Sequence, residues 1–549
     1  MNIIDQIIDA FKNHLIQIFN LPSEDLNLVD TTINTDEQRQ QFGDLNTNAA
    51  LILAKKLNKK PREIADEISK TFSHSDIQKI EIAGPGFINF YLKSTAYVRL
   101  LQELTNQNKT FFKPDQLDKK MFNIEFVSAN PTGPLHFGHG RGGIIGDVLG
   151  NVIKFVGHSV TKEFYINDAG VQLQKLGSSF KARCYQELGK EMPLPEDGYQ
   201  GDYLRALAKE ANKEFGATVL EKPDLFFITY AKDNLLAKLQ QTLRDYGIQF
   251  DVWFSEKTLH DEHKIEEALK KLHDAGYLYE QDGALWFKST QFGDDKDRVL
   301  RKQDGSLTYV AADLAYMLDK AQRGTNHMIM VLGQDHHGYV ERLQGLHTAL
   351  GLEKAPLDVI LYQLVSLKEN GQELRMSKRA GRMVTLQDII DTVGADVARF
   401  FYLNRKADAQ LDLDLDLALK KTEENPVYYL QYAFVRLNSI LKRAQEHSAL
   451  QNITSDDATG LTEAEHLLLK KITSLKGLLA AIVKNYQIHQ LTYFALELAQ
   501  LFHSYYSKNK VIDLDNIEQS RARLLLIQEL KMTLSLILNL LGISQPEQM

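Results

Sequence analysis

Two histidines, His136 and His139, stand three residues apart with Gly138 between them, directly after a segment that cannot be helical. Pro131 and Pro134 lack an N–H and push the residues before them out of the helical region. The run from Glu125 to Gly150, EFVSANPTGPLHFGHGRGGIIGDVLG, therefore reads as a buried strand, a forced loop and an amphipathic helix that opens on glycines. The unpaired amides and positive dipole end of such a helix favour an anion, and glycine lets a ligand approach the backbone closely. The histidines add donors that can face the same ligand, so the chemistry is phosphate binding. A glycine cluster alone would fit equally well a helix packed tightly on a sheet beside two surface histidines. The spacing H-x-G-H after strand and loop is the more specific signal. A second charged cluster, Arg375-Met376-Ser377-Lys378-Arg379, lies in the polar, glycine-flanked segment NGQELRMSKRAGR.

The rest of the chain must position these groups. At 549 residues it is too long for one ordinary core, and 44% hydrophobic, 25% charged residues and 12 prolines leave no room for a long disordered segment. No uninterrupted apolar run approaches a bilayer span, and MNIIDQIIDAFKNHL carries acids inside its apolar pattern, unlike a secretory signal. With the single cysteine Cys184, this predicts a cytoplasmic protein without a membrane partner, an internal disulfide or a cysteine-rich zinc site. A net charge of −8 does not exclude nucleic acid, because binding depends on where the basic residues lie.

In order along the chain, Ile3, Ile4, Ile7, Ile8, Phe11, Leu15 and Ile18 form one helical stripe. Two further helices are expected, with Asn46 as a cap and Pro61 in a first turn, followed by two strands joined at Gly84-Pro85-Gly86. Residues 1–115 are expected to form a small α+β domain. Residues 116–410 read as an α/β, doubly wound parallel sheet of Rossmann type, with strands at 329–333 and 359–367 and a charged helical insertion at about 172–286. The alternation in QLDLDLDLALKK predicts an exposed strand or connector at the next junction. Asn425-Pro426 and Thr462 with Glu465 mark helix starts in a C-terminal all-α bundle, residues 411–549.

The H-x-G-H spacing, paired with the downstream M-S-K cluster, resembles the ATP signature of class I aminoacyl-tRNA synthetases. The runs FGDLNTNAA, IAGPGFINF, SANPTGPLHFGHGRG, Tyr165-Ile166-Asn167-Asp168-Ala169-Gly170, QFGDDKDRVL, TYVAADLAY, GQDHHGY and NPVYYLQYA resemble the arginyl-tRNA synthetases over essentially the whole chain. The resemblance implies activation of L-arginine by ATP, with Mg²⁺, and transfer to the 2′-hydroxyl of the terminal adenosine of tRNA. It implies catalytic roles for His136, His139 and Lys378, and ATP binding by His136, Gly138, His139, Met376, Ser377 and Lys378. The arginine pocket would take Glu125, Asn130, Tyr309, Asp313 and Gln334; no metal ligands are implied. Arg375 stands where the general motif has its first lysine, and Gly133 stands where some relatives carry a substitute lysine, so Lys378 has no obvious replacement.

A site for guanidinium needs carboxylates in paired geometry, which suits Glu125 and Asp313. Glu125 lies in an apolar strand, where an incoming cation would compensate its burial; Tyr309 and Asp313, four apart, share a face if helical. In the bundle, Tyr428, Tyr429, Tyr432, Phe502, Tyr505 and Tyr506 interleave with Lys508 and Lys510, although most rings at helical spacing belong to a core. The bundle resembles an anticodon-binding domain and the N-terminal domain one that touches the outer corner of tRNA. A monomer is expected. The alternatives are another class I synthetase, or a catalytically inactive RNA-binding paralogue, which would have no need of His136, His139 and Lys378.

Overall fold

The computed structural model describes residues 1–373 and 384–549, so Arg375, Met376, Ser377 and Lys378 lie outside the described residues. At the N-terminus, the helix Ile3–Phe19 buries Ile3, Ile4, Ile7, Phe11 and Leu15. It packs on the helix Ser94–Gln107 and, through Phe11 against Phe90 with ring centroids 5.2 Å apart, on a four-stranded antiparallel sheet in the order Thr31–Ile33, Leu45–Thr47, Phe87–Leu92, Ile77–Ala83. Pro61 opens a helix as expected, but the residue before the helix Ala49–Leu57 is Asn48. Asn46 lies in a strand, where its side chain accepts from the Thr32 hydroxyl at 2.9 Å.

The centre of the molecule is a parallel sheet of five strands, ordered Leu357–Tyr362, His327–Gly333, Met121–Phe126, Ser159–Ile166, Val252–Ser255. Strand order reverses between Met121–Phe126 and His327–Gly333, which opens a crevice at the carboxyl ends. The strand expected at 359–367 is two: the chain breaks at Gln363-Leu364, and Val365–Glu369 pairs in parallel with Leu411–Asp414 in another sheet. The expected insertion is helical over Val171–Glu187, Asp202–Phe215 and Asp224–Asp245, around its own core of Leu176, Phe180, Leu207 and Phe227. The span 172–286 is not wholly an insertion, because Val252–Ser255 inside it is a strand of the main sheet.

In the alternating run near 411, Leu411 and Leu413 are buried, so the strand is half-covered rather than exposed, and Leu415–Ala418 turns helical. Asn425 caps Pro426–Ala444 by accepting from the Val427 amide at 3.0 Å, and Thr462 and Glu465 form the capping box of Glu463–Asn485. The bundle is completed by His489–Lys508 and Ile517–Leu541. The last of these is long and apolar enough to cross a membrane, a length the broken apolar pattern did not suggest. Its leucines and isoleucines are packed inside the protein.

Candidate active site

Every strand of the central sheet delivers residues to one cleft of about 910 Å³ from its carboxyl end. Residues 127–134 follow the strand Met121–Phe126, Asn167 follows Ser159–Ile166, Glu256 follows Val252–Ser255, Asp335 follows His327–Gly333, and Tyr362 ends the fifth strand. The chain turns into the cleft through a strained γ-turn: Val127 has φ +67°, and the Ser128 amide donates to the Phe126 carbonyl at 2.9 Å. A β-branched residue in this region is a true outlier, tolerated because neighbours hold both sides. The Ser128 hydroxyl donates to Glu125 at 3.2 Å and accepts from the Tyr165 amide at 3.1 Å.

Part of the cleft lining is the histidine turn. The His136 amide donates to His139 Nδ1, and the Gly138 amide to His136 Nδ1, both at 3.1 Å. An accepting Nδ1 on a neutral ring places its proton on Nε2. Burial, followed by the neighbouring His136, lowers the pKa of His139 from its ordinary value, which favours the neutral ring. The turn is anchored by groups that sequence reading missed. Arg141, fully buried, donates to the carbonyls of Gln363, Ala409 and Lys406 at 2.7–2.9 Å. The Phe137 amide donates to the Val384 carbonyl, and His136 pairs with Thr385, so these two residues lie against the histidine turn.

The lining also holds the carboxylates Glu125, Glu256 and Asp313. Glu125 is not the uncompensated charge its apolar strand suggested: Lys320, equally buried, reaches it at 2.6 Å. The helix Tyr309–Gln322 does place Tyr309 and Asp313 at the cleft, Tyr309 exposed at its mouth and Asp313 accepting from the Tyr339 hydroxyl. Burial first, then the charges of Glu125 and Glu256, push Asp313 up to about 8 against the opposing pull of Arg342 and Lys320. Glu256, only 5% exposed, is pushed up to about 7, chiefly by burial. Sequence reading missed Glu256 because it lay in the span taken as insertion; an acid directly after an apolar VWFS strand was the available signal.

Asn130 lines the cleft, its amide donating to Gln172 at 3.0 Å. Gln334 and Gly138 are not among the lining residues; Gln334 opens the turn Gln334–Tyr339, whose Asp335, His336 and Tyr339 are. Among the described residues no cluster of three or more His, Cys, Asp or Glu is placed to hold a metal ion.

Comparison with known proteins matches three family models: tRNA synthetases class I (R), catalytic domain, over residues 99–409; DALR anticodon binding domain, over 430–549; and arginyl tRNA synthetase N terminal domain, over 5–92. The chain is 42% identical to an arginine–tRNA ligase of Geobacillus kaustophilus and 41% identical to that of Bacillus subtilis, each pair covered over its full length. The structure of Thermus thermophilus arginyl-tRNA synthetase, 20% identical, superposes with a TM-score of 0.77 over 98% of this chain and 99% of that one, a likeness of fold.

Proposed function

This chain belongs to the arginyl-tRNA synthetase family, and from that premise we infer how its cleft forms arginyl-adenylate and passes arginine to tRNA. The observation that carries the reading is that one cleft is lined both by a histidine turn that suits phosphate and by the acids Asp313, Glu256 and Glu125 that suit a guanidinium. Lys320 satisfies much of the charge of Glu125, so Asp313 and Glu256 are the acids that an arginine side chain neutralises.

In this reading Tyr309 covers the mouth of the pocket, and Asn130 addresses the α-amino and carboxylate end; Gln334, which opens the turn carrying the lining residue Asp335, joins it on the family resemblance alone. The arginine carboxylate attacks the α-phosphorus of ATP, and the bond to pyrophosphate breaks. A ribose hydroxyl of tRNA, the 2′-hydroxyl in this class, then attacks the carbonyl carbon of the adenylate, and AMP leaves. No side-chain nucleophile is needed; rate comes from alignment and from donors aimed at developing charge. His136 and His139 supply such donors, with Gly138 as a flat surface for adenine. Lys378, with Met376 and Ser377, enters this scheme on its motif alone. Mg²⁺ enters with ATP as part of the substrate, which a hydrated ion held largely by phosphate oxygens permits.

The domains are proposed as 1–115 and 411–549 on the tRNA and 116–410 on the chemistry, in a cytoplasmic monomer whose two outer domains supply the RNA contacts. In the bundle, half-buried Tyr432 and Tyr506 flank Arg436 in a surface pocket, whereas Phe502 and Tyr505 are core. Aminoacylation of total tRNA with single amino acids tests the reading: arginine alone becomes acid-precipitable, and charging of any other amino acid at comparable rate would refute it.

A further inference from the structure

The helix Ala395–Leu403 touches the histidine turn at one point and the C-terminal bundle at another. Tyr402, fully buried, donates its hydroxyl to the carbonyl of Phe137 at 2.7 Å, and Phe137 sits between His136 and Gly138. Gly140 lies under the Tyr402 ring, where a Cβ would come within 3.0 Å of it. One turn earlier and on the same face, the guanidinium of Arg399 is 1% exposed and gives its donors to three separate parts of the chain. Its Nε donates to the Leu541 carbonyl at 2.8 Å, Nη1 to the Tyr246 carbonyl at 2.9 Å, and Nη2 to Asp147 at 2.5 Å.

Leu541 is the last residue of the helix Ile517–Leu541, and Asp147 lies on the histidine helix His139–Val156. Terminal carbonyls of a helix have no partner within it. Here two are taken by residues outside the bundle, the second by Asn151 of the histidine helix, whose amide donates to the Leu540 carbonyl at 3.0 Å. Lys162 closes the group, donating to Asp147 at 2.6 Å and Asn151 at 2.8 Å. Gly542, at φ +69°, ends the long helix where a Cβ would collide with the Arg399 guanidinium. A buried ion pair adds little stability over apolar packing, so stability alone does not account for a charged junction among three segments.

We propose that Arg399 and Tyr402 are positioning residues for adenylate formation, the helix Ala395–Leu403 acting as a strut that carries the position of the C-terminal bundle to the peptide between His136 and His139. The strut rests on the reading of those histidines as phosphate donors. A failure of that reading shows separately, as an unchanged KM for ATP in His139→Ala.

The test uses the full chain and its tRNA. Tyr402→Phe removes one oxygen and keeps the ring; aminoacylation kcat/KM for ATP is expected to fall about tenfold, the scale of one lost buried hydrogen bond, with KM for arginine unchanged. Arg399→Lys, remote from the cleft, keeps a charge for Asp147 but loses the fork that reaches the Leu541 and Tyr246 carbonyls. It is expected to lower the same parameter by about threefold, and the double variant to be no worse than Tyr402→Phe, because both cut the one connection through the helix Ala395–Leu403. Unchanged ATP kinetics in Tyr402→Phe, or effects that multiply in the double variant, would overturn the proposal. Hydrogen exchange needs no kinetics: tRNA is expected to slow exchange in the peptide 135–142 of the unmodified protein and not in Arg399→Lys. An equal response in both proteins, or none in the unmodified one, also overturns it.

Discussion

At the scale of single residues, the protonation of the cleft acids is set by burial and by one another. With Asp313 near 8 and Glu256 near 7, both are largely protonated at pH 6 in the free protein and must release their protons to solvent to pair with a guanidinium. Arginine affinity is therefore expected to rise between pH 6 and 8, by up to about tenfold per unit for each group titrating, and to level off above. Calorimetry at pH 7 in buffers of different ionisation enthalpy checks this: net proton release is expected, and none would show the pair already ionised. Asp313→Asn keeps the shape and removes the charge. It is expected to weaken arginine binding by roughly 2 kcal/mol, the value of a hydrogen bond to a charged group, with ATP affinity unaltered. Parallel loss of both affinities would make Asp313 a structural residue.

Among the elements, the histidine helix depends on glycine where it crosses the central strand. At Gly146 a Cβ would collide with the ring of Phe126, which is itself fully buried and has no room to turn. Alanine has the better helix propensity by about 1 kcal/mol, whereas overpacking a rigid core costs about 1–3 kcal/mol, so the clash decides. Gly146→Ala is expected to lower the urea midpoint by an amount equal to about 1–2 kcal/mol and to raise KM for ATP, since a displaced helix moves His139. A stabilised variant with normal kinetics would show that the helix has freedom to shift.

In the whole molecule, the two outer domains pack on each other rather than apart. Tyr97 stacks on His466 with ring centroids 3.7 Å apart, Lys470 pairs with Asp44 at 2.8 Å, and Lys476 bridges Asp5 and Asp115 at 2.6 and 2.9 Å. A tRNA held by both would act on one body, whose end at Leu541 is bonded to the catalytic domain through Arg399. Arginine-dependent exchange of pyrophosphate into ATP is accordingly expected to be weak until tRNA is added, since induced fit withholds an assembled site from other guanidinium compounds. Enzyme stripped of RNA by nuclease and high salt checks this; full exchange without tRNA would show the site preformed.

Read residue by residue, the chain determined its own histidine turn, its helix start at Pro61, its caps at Asn425 and Thr462, and the order of its three domains. Each of these is local: a proline restricts its neighbour, a cap bonds an amide two or three positions on, and a family motif is contiguous. Tertiary structure alone decided that Lys320 neutralises Glu125, that Glu256 joins Asp313, and that Arg399 meets Leu541, residues 195, 57 and 142 positions apart. Such pairs leave no trace in periodicity, because a buried charge takes whatever partner the crossing of strands and helices brings within reach. The strand Val252–Ser255 was lost for a related reason. Four residues are too short to show alternation, and only their register against Glu163–Ile166 makes them part of the sheet.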